Sequence, residues 1–185
     1  MMKRTMWTPT LAWLAAASAA LVLAVAGPSE TIVMGQVPSL TAKRLDQTRV
    51  VVPSGLSAER TLALVAYTRN QREEINSWIH GLQLDSDASI AWIRMPVIND
   101  PGDESKRAAI ENTMLERHPT PRDRTRLVPV FTNREAFIRA AGISSSDHAS
   151  VLVLNREGKV LARAEGRYDE AKAQALRETL LARND

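Results

Sequence analysis

Apolar positions along this chain follow two periods, and strand-like runs give way to helical spacing three times. The run Thr61–Tyr67 (TLALVAY) is almost wholly apolar. A strand apolar on both faces belongs in the middle of a parallel sheet, with helices over each side. Directly after it Ile75, Trp78, Ile79 and Leu82 recur at i, i+3, i+4 and i+7, which predicts a helix with one buried face. Asn70, with Glu73 three residues on, reads as its cap and capping-box partner. Gly81 lowers helix propensity near its end.

The second unit opens with Ala88–Ile93 (ASIAWI), runs into Arg94-Met95-Pro96, and reaches a dense turn signal at Asn99-Asp100-Pro101-Gly102. Asp103 then begins a helix over Glu104–Arg117. Ala108, Ile110, Met114 and Leu115 give it a looser apolar face, and Pro119 and Pro121 stop it. The third unit is a strand over Arg126–Phe131, with Pro129 arguing for an edge or a bulge. Thr132 and Glu135 read as a capping box for a helix over Asn133–Ala141. That helix buries Phe137, Ala140 and Ala141 and ends at Gly142.

The ending has a different shape. Ser150–Leu154 (SVLVL) is apolar, Asn155–Gly158 reads as a short hairpin loop, and Lys159–Glu165 alternates with one wetter face. Asp169 caps a final helix whose Ala173, Leu176 and Leu180 repeat at helical spacing. Upstream, Arg49–Val52 is a short strand closed by Pro53-Ser54-Gly55. The expected fold is α/β: a mixed central sheet flanked by helices, ending in a β-hairpin and a C-terminal helix.

The first 26 residues stand apart. Lys3 and Arg4 precede an apolar run from Leu11 to Ala26, and Ala24-Val25-Ala26 is an A-x-A cleavage signature. This is the composition of a secretory signal peptide. The run is shorter than the roughly 18–20 residues of a spanning helix. The expected destination is the periplasm or the cell exterior; the alternative is an inner-membrane anchor made by residues 11–26. Residues 27–47, with Pro28, Gly35 and Pro38, read as a linker with one extended piece over Thr31–Val37. Residues 48–185 form the folded domain.

Composition narrows the chemistry. The chain of 185 residues has no cysteine, which excludes disulfides, thiolate metal sites and thiol catalysis. Its net charge of +3 falls to +1 without Lys3 and Arg4, and four Trp with only two Tyr and two Phe give few stacking surfaces, so nucleic acid is not an expected partner. Phosphate-binding, dinucleotide-binding, zinc-protease and nucleophile-elbow motifs are absent. His80, His118 and His148 share no ligand spacing. No cofactor or metal is implied. Ser144–His148 reads as a polar loop, since adjacent residues do not align into a triad. The segment Arg117–Arg126 is rich in Arg and reads as a solvated loop, or else as a patch for an anionic partner.

The ending VLVLNREGKVLARAEG followed by a helix, together with LALVAYTRNQREEINSW, resembles the thioredoxin-like superfamily, particularly its exported peroxiredoxin-like and TlpA-like branch, over roughly residues 48–183. Redox members carry W-C-x-x-C-R-x-E at the start of the first helix. Here Arg72 and Glu74 fall where R-x-E would, and Thr68 and Gln71 take the two cysteine positions. The family's cis-proline site reads His148-Ala149-Ser150. Disulfide exchange and peroxide reduction need a thiolate, and Thr68 and Gln71 supply none. The chain is also similar to the Cys-less thioredoxin-like family that includes a mitochondrial ATP synthase assembly factor. That resemblance implies an assembly or chaperone-like role at a membrane complex.

The turn after the central strand lies at the carboxyl edge of the sheet, where open α/β sheets bind ligands. If the family geometry holds, the loop at His148 lies beside it. The expected site is therefore a groove for a protein or peptide of the cell envelope, formed by Thr68, Arg69, Asn70, Gln71, His148, Ala149 and Ser150. Arg69 would supply charge, and Asn70 and Gln71 hydrogen bonds. The competing readings are a former site that holds nothing, and an enzyme using non-thiol chemistry at Tyr67 or Thr68.

Overall fold

A computed structural model describes residues 34–182. The leader read from residues 1–26, and the start of the extended piece at Thr31, lie outside the described residues.

The apolar run becomes β3 (Arg60–Ala66), preceded by β1 (Leu40–Lys43) and β2 (Arg49–Val52). After it come a 3-10 turn (Arg69–Gln71) and α1 (Arg72–Gly81). The chain continues through β4 (Trp92–Asn99), α2 (Glu104–Arg117), α3 (Pro121–Arg126), β5 (Val130–Thr132) and α4 (Arg134–Ala140). It ends with β6 (Ser150–Asn155), β7 (Val160–Glu165) and α5 (Glu170–Leu181). Five strands form one sheet in the order β5-β4-β3-β6-β7. β3, β4 and β5 run parallel, and β6 and β7 are antiparallel to their neighbours. The expected mixed sheet with helices on both faces is the observed one. β3 lies at its centre, which is why both of its faces are apolar.

The pleat of β3 sorts the core into two layers. Ala63, Val65 and Tyr67 pack with Val50 and Val52 of the β1–β2 ribbon and Phe137 of α4. Leu62 and Leu64 pack with Ile75, Trp78 and Ile79 of α1 and Ala173 and Leu176 of α5. β1 lies inside the stretch read as a linker. Residues 34–37 run along the outer side of β7, where Met34 N–H donates to the Val160 carbonyl (2.9 Å) and Val37 N–H to that of Gly158 (2.8 Å). This crossing needs glycine. A Cβ on Gly35 would sit 2.3 Å from the backbone carbonyl of Ala141, and one on Gly142, whose φ is +68°, would sit 2.0 Å from the Met34 oxygen.

Several elements differ from the sequence reading. The second-unit strand starts at Trp92, because Asp87 accepts from Ser89 N–H (2.8 Å) and folds that stretch into a turn. It then runs through Pro96 to Asn99. β3 pairs with β4 up to Pro96, and β5 pairs from Val97 on, so the missing N–H falls where the ladder changes partner. Pro121 opens a helix, with Thr120 Oγ accepting from Asp123 N–H (3.1 Å). The third-unit strand shortens to Val130–Thr132, with Pro129 just before this edge strand. The cap of α4 is Asn133, accepting from Ala136 N–H (2.9 Å), in place of Thr132. Ala108 and Ala140 are exposed. Asp103, Asp169, the Asn155–Gly158 loop and the left-handed Gly142 are as expected.

Candidate functional site

β3 ends in the centre of the sheet and delivers Tyr67 and Thr68 to its carboxyl edge. The helix start lies two residues earlier than the sequence predicts. Thr68 is the cap residue in place of Asn70, and its box partner is Gln71 in place of Glu73. Gln71 Oε1 accepts from Tyr67 N–H (2.7 Å) and Thr68 N–H (3.2 Å). Its Nε2 donates to the Ser146 carbonyl (2.7 Å). Gln71 is only 4% exposed, so these bonds satisfy groups that water does not reach. The side chain ties the end of β3 to the loop preceding β6.

Glu74, one turn further along α1, holds the same loop. Its Oε2 accepts from Ala149 N–H (2.6 Å), and its Oε1 lies 2.9 Å from His148 Nδ1. Glu74 raises the pKa of His148 above its ordinary value, first through the hydrogen bond and then through its charge. Deeper in, the Tyr67 hydroxyl donates to Ser150 Oγ (3.0 Å). Burial pushes the Tyr67 pKa up to about 12, which keeps the phenol neutral. The indole of Trp78 donates to the Gly166 carbonyl (2.8 Å) and anchors the helix below.

The turn and the loop are thus brought together. Thr68, Arg69, Asn70 and His148 are exposed; Gln71, Ala149 and Ser150 are buried, with their polar groups bonded inside the chain. The accessible rim is therefore narrower than the sequence outlines it. Glu74 is a residue of the site that the expected groove did not include. Its position in the R-x-E pattern was the available signal. Thr68, Arg69 and Arg72 also line a pocket of about 340 Å³ shared with β4 and α2. His80 is exposed on α1, and among the described residues no group of three His, Asp or Glu is placed to hold a metal ion.

This strand–turn–helix edge, with a loop beside it and a hairpin and helix to finish, defines a thioredoxin-like fold in which neither redox position is a cysteine. No protein-family model matches the chain, and neither does any curated protein. Solved structures do match. A proposed electron transfer protein from Aquifex aeolicus VF5 superposes with a TM-score of 0.56 at 11% identity, over 80% of this chain and 94% of its own. BsSco, a member of the Sco family of cytochrome c oxidase assembly proteins, gives 0.50 at 14% identity, over 78% and 91%. The exposed lipoprotein thioredoxin of Streptococcus pneumoniae TIGR4 gives 0.50 at 14% identity, over 76% and 99%. At these identities the similarity establishes the fold. With no cysteine in the chain, neither thiol–disulfide exchange nor thiol-based peroxide reduction is available to it.

Proposed function

We propose that this chain is an exported, redox-inactive thioredoxin-like module that binds a protein or peptide of the cell envelope, in an assembly or chaperone-like role. One observation carries the reading. Gln71, at a position where redox relatives keep a cysteine, is locked inward, while Thr68, Arg69, Asn70 and His148 remain exposed on one rim. A turn held this firmly suits a preformed contact surface. The leader composition supports export, and the similarity to BsSco, itself from a family of assembly proteins, is in keeping with the role. The enzyme alternative has less support, because the Tyr67 phenol is buried, neutral and bonded to Ser150.

A photocrosslinking residue placed at Asn70 or His148 in the cell envelope tests this. The same defined adduct is expected from both positions, lost with Arg69→Ala and absent when the probe sits at Gln174 on α5. Equal adducts from Gln174, or none from the rim, would remove the partner reading. The mass of the N-terminus tests export separately: a protein retaining Met1 in the membrane fraction would contradict a cleaved leader.

A further inference from the structure

The pocket beside Arg69 has a composition the partner rim does not need. Its floor is apolar, from Leu64 of β3, Val97 and Ile98 of β4, Ile75 of α1, and Ile110 and Met114 of α2. None of the α2 residues is buried. This helix therefore stands off the sheet along its apolar face and leaves that face facing a cavity. A volume of about 340 Å³ lies at the small end of the range for small-molecule sites.

The charged lining is all of one sign. Arg69, Arg72, Arg94, Arg117 and His118 line the pocket, and no Asp or Glu does. Outside the pocket some arginines do meet carboxylates, as Arg107 meets Asp100 at 2.5 Å and Arg126 meets Asp85 at 3.7 Å. Among the described residues, the guanidinium groups of Arg69, Arg72, Arg94 and Arg117 have no hydrogen-bond or salt-bridge partner. The Nε of Arg94 is buried and unbonded. Arg94 is also held over the Trp92 ring, 5.8 Å from its centroid, which fixes its direction. Desolvation and then Arg94 lower the pKa of His118, with Asp123 opposing and Arg72 and Arg117 adding smaller effects. Unpaired guanidinium groups at the mouth of an apolar cavity repel one another, and an anion relieves both that repulsion and the unbonded donor.

We propose that this pocket binds a small organic acid with an aliphatic body, its ionised head held by Arg72, Arg94 and Arg117 and its tail laid on Leu64, Ile110 and Met114. This site adjoins the rim through Thr68 and Arg69 but does not rest on the partner reading. An apolar body without charge would leave the arginines unpaired. A compact anion would leave the apolar floor wet. Only the combination matches both halves of the lining.

Titration calorimetry of the purified chain with decanoate, below its micelle-forming concentration, tests the proposal. Saturable one-to-one binding is expected. 1-Decanol should bind at least about tenfold more weakly, the loss that follows when charge-assisted hydrogen bonds disappear. Decyltrimethylammonium should not bind. Arg94→Gln and the exposed Arg117→Gln should each weaken decanoate by about tenfold, while Arg139→Gln on α4 should not. Arg117 lies at the end of α2, so its replacement reports on binding even if Arg94→Gln disturbs the fold. Four results would each overturn the proposal: no saturable decanoate binding, equal affinity for decanol, acetate binding as tightly as decanoate, or unchanged affinity in Arg117→Gln.

Discussion

Replacing Gln71 by alanine should cost this protein far more than the loss of a polar side chain normally does. Three hydrogen bonds disappear, and the groups left behind are not equivalent. Tyr67 N–H is buried and loses its acceptor, while Thr68 is exposed and its N–H can turn to water. The Ser146 carbonyl is half-buried and loses its donor. An unsatisfied buried group costs about 1–3 kcal/mol, so one full and one partial penalty give roughly 2–4 kcal/mol. With a urea slope of about 1–3 kcal/mol/M, the midpoint should fall by about 1–4 M with the slope unchanged. Gln71→Glu should be worse: it keeps the acceptor, loses the bond to Ser146 and places a charge where the side chain is 4% exposed. Asn70→Ala serves as the control and should stay within about 0.5 kcal/mol, as exposed positions do. If Gln71→Ala unfolds at the wild-type urea concentration, the bonds are not structural and the account of this turn is wrong.

Two further outcomes follow from named contacts. The pKa of His148 is raised by Glu74, so the pair's contribution to stability is complete below the unfolded value of about 6.5 and lost as pH rises through the folded value. The difference in melting temperature between wild type and His148→Ala should therefore be largest near pH 5 and shrink above neutrality; a gap that does not change with pH would show that the ion pair contributes nothing. Gly81→Ala should destabilise the fold although alanine favours a helix by about 1 kcal/mol, because its Cβ would lie 2.4–2.5 Å from three carbons of the Tyr168 ring. That ring stands edge-on to Trp78 at 5.3 Å, so denaturation of the double variant with Tyr168→Ala should recover the helix gain, and additive effects would argue against a clash.

The features legible in the sequence are those set by local spacing. Ile75, Trp78 and Ile79 reveal the buried face of α1 because helical geometry alone brings them together. Val160, Ala162 and Ala164 reveal the inner face of β7 in the same way. Asp103 and Asp169 cap their helices through bonds three residues long. What was not legible depends on distant partners. Pro96 lies inside a strand because two neighbours share β4 between them. Gln71 looks like a surface residue until a loop 75 residues away closes over it. Arg94 and Arg117 lie on different elements and share a pocket only once α2 has crossed the sheet. The exposed Ala108 shows why α2 misled: its apolar positions are sparse, and none of them is driven deep enough to fix how the helix packs.

The three bonds of Gln71 allow one arrangement only, and they fix both surfaces that leave the turn. On one side Asn70 and His148 are exposed; on the other Thr68, Arg69 and Arg72 line the pocket under α2. If the turn is a shared support, the two surfaces should fail together when it is loosened and separately when each is altered. Gln71→Ala should weaken both the rim crosslink and decanoate binding at temperatures where the protein is still folded. Arg94→Gln should affect decanoate alone, and His148→Ala the crosslink alone. Loss of only one activity in Gln71→Ala would place the support for the other elsewhere, with Glu74 the next residue to test for the rim, since it holds the 148–149 loop independently of Gln71.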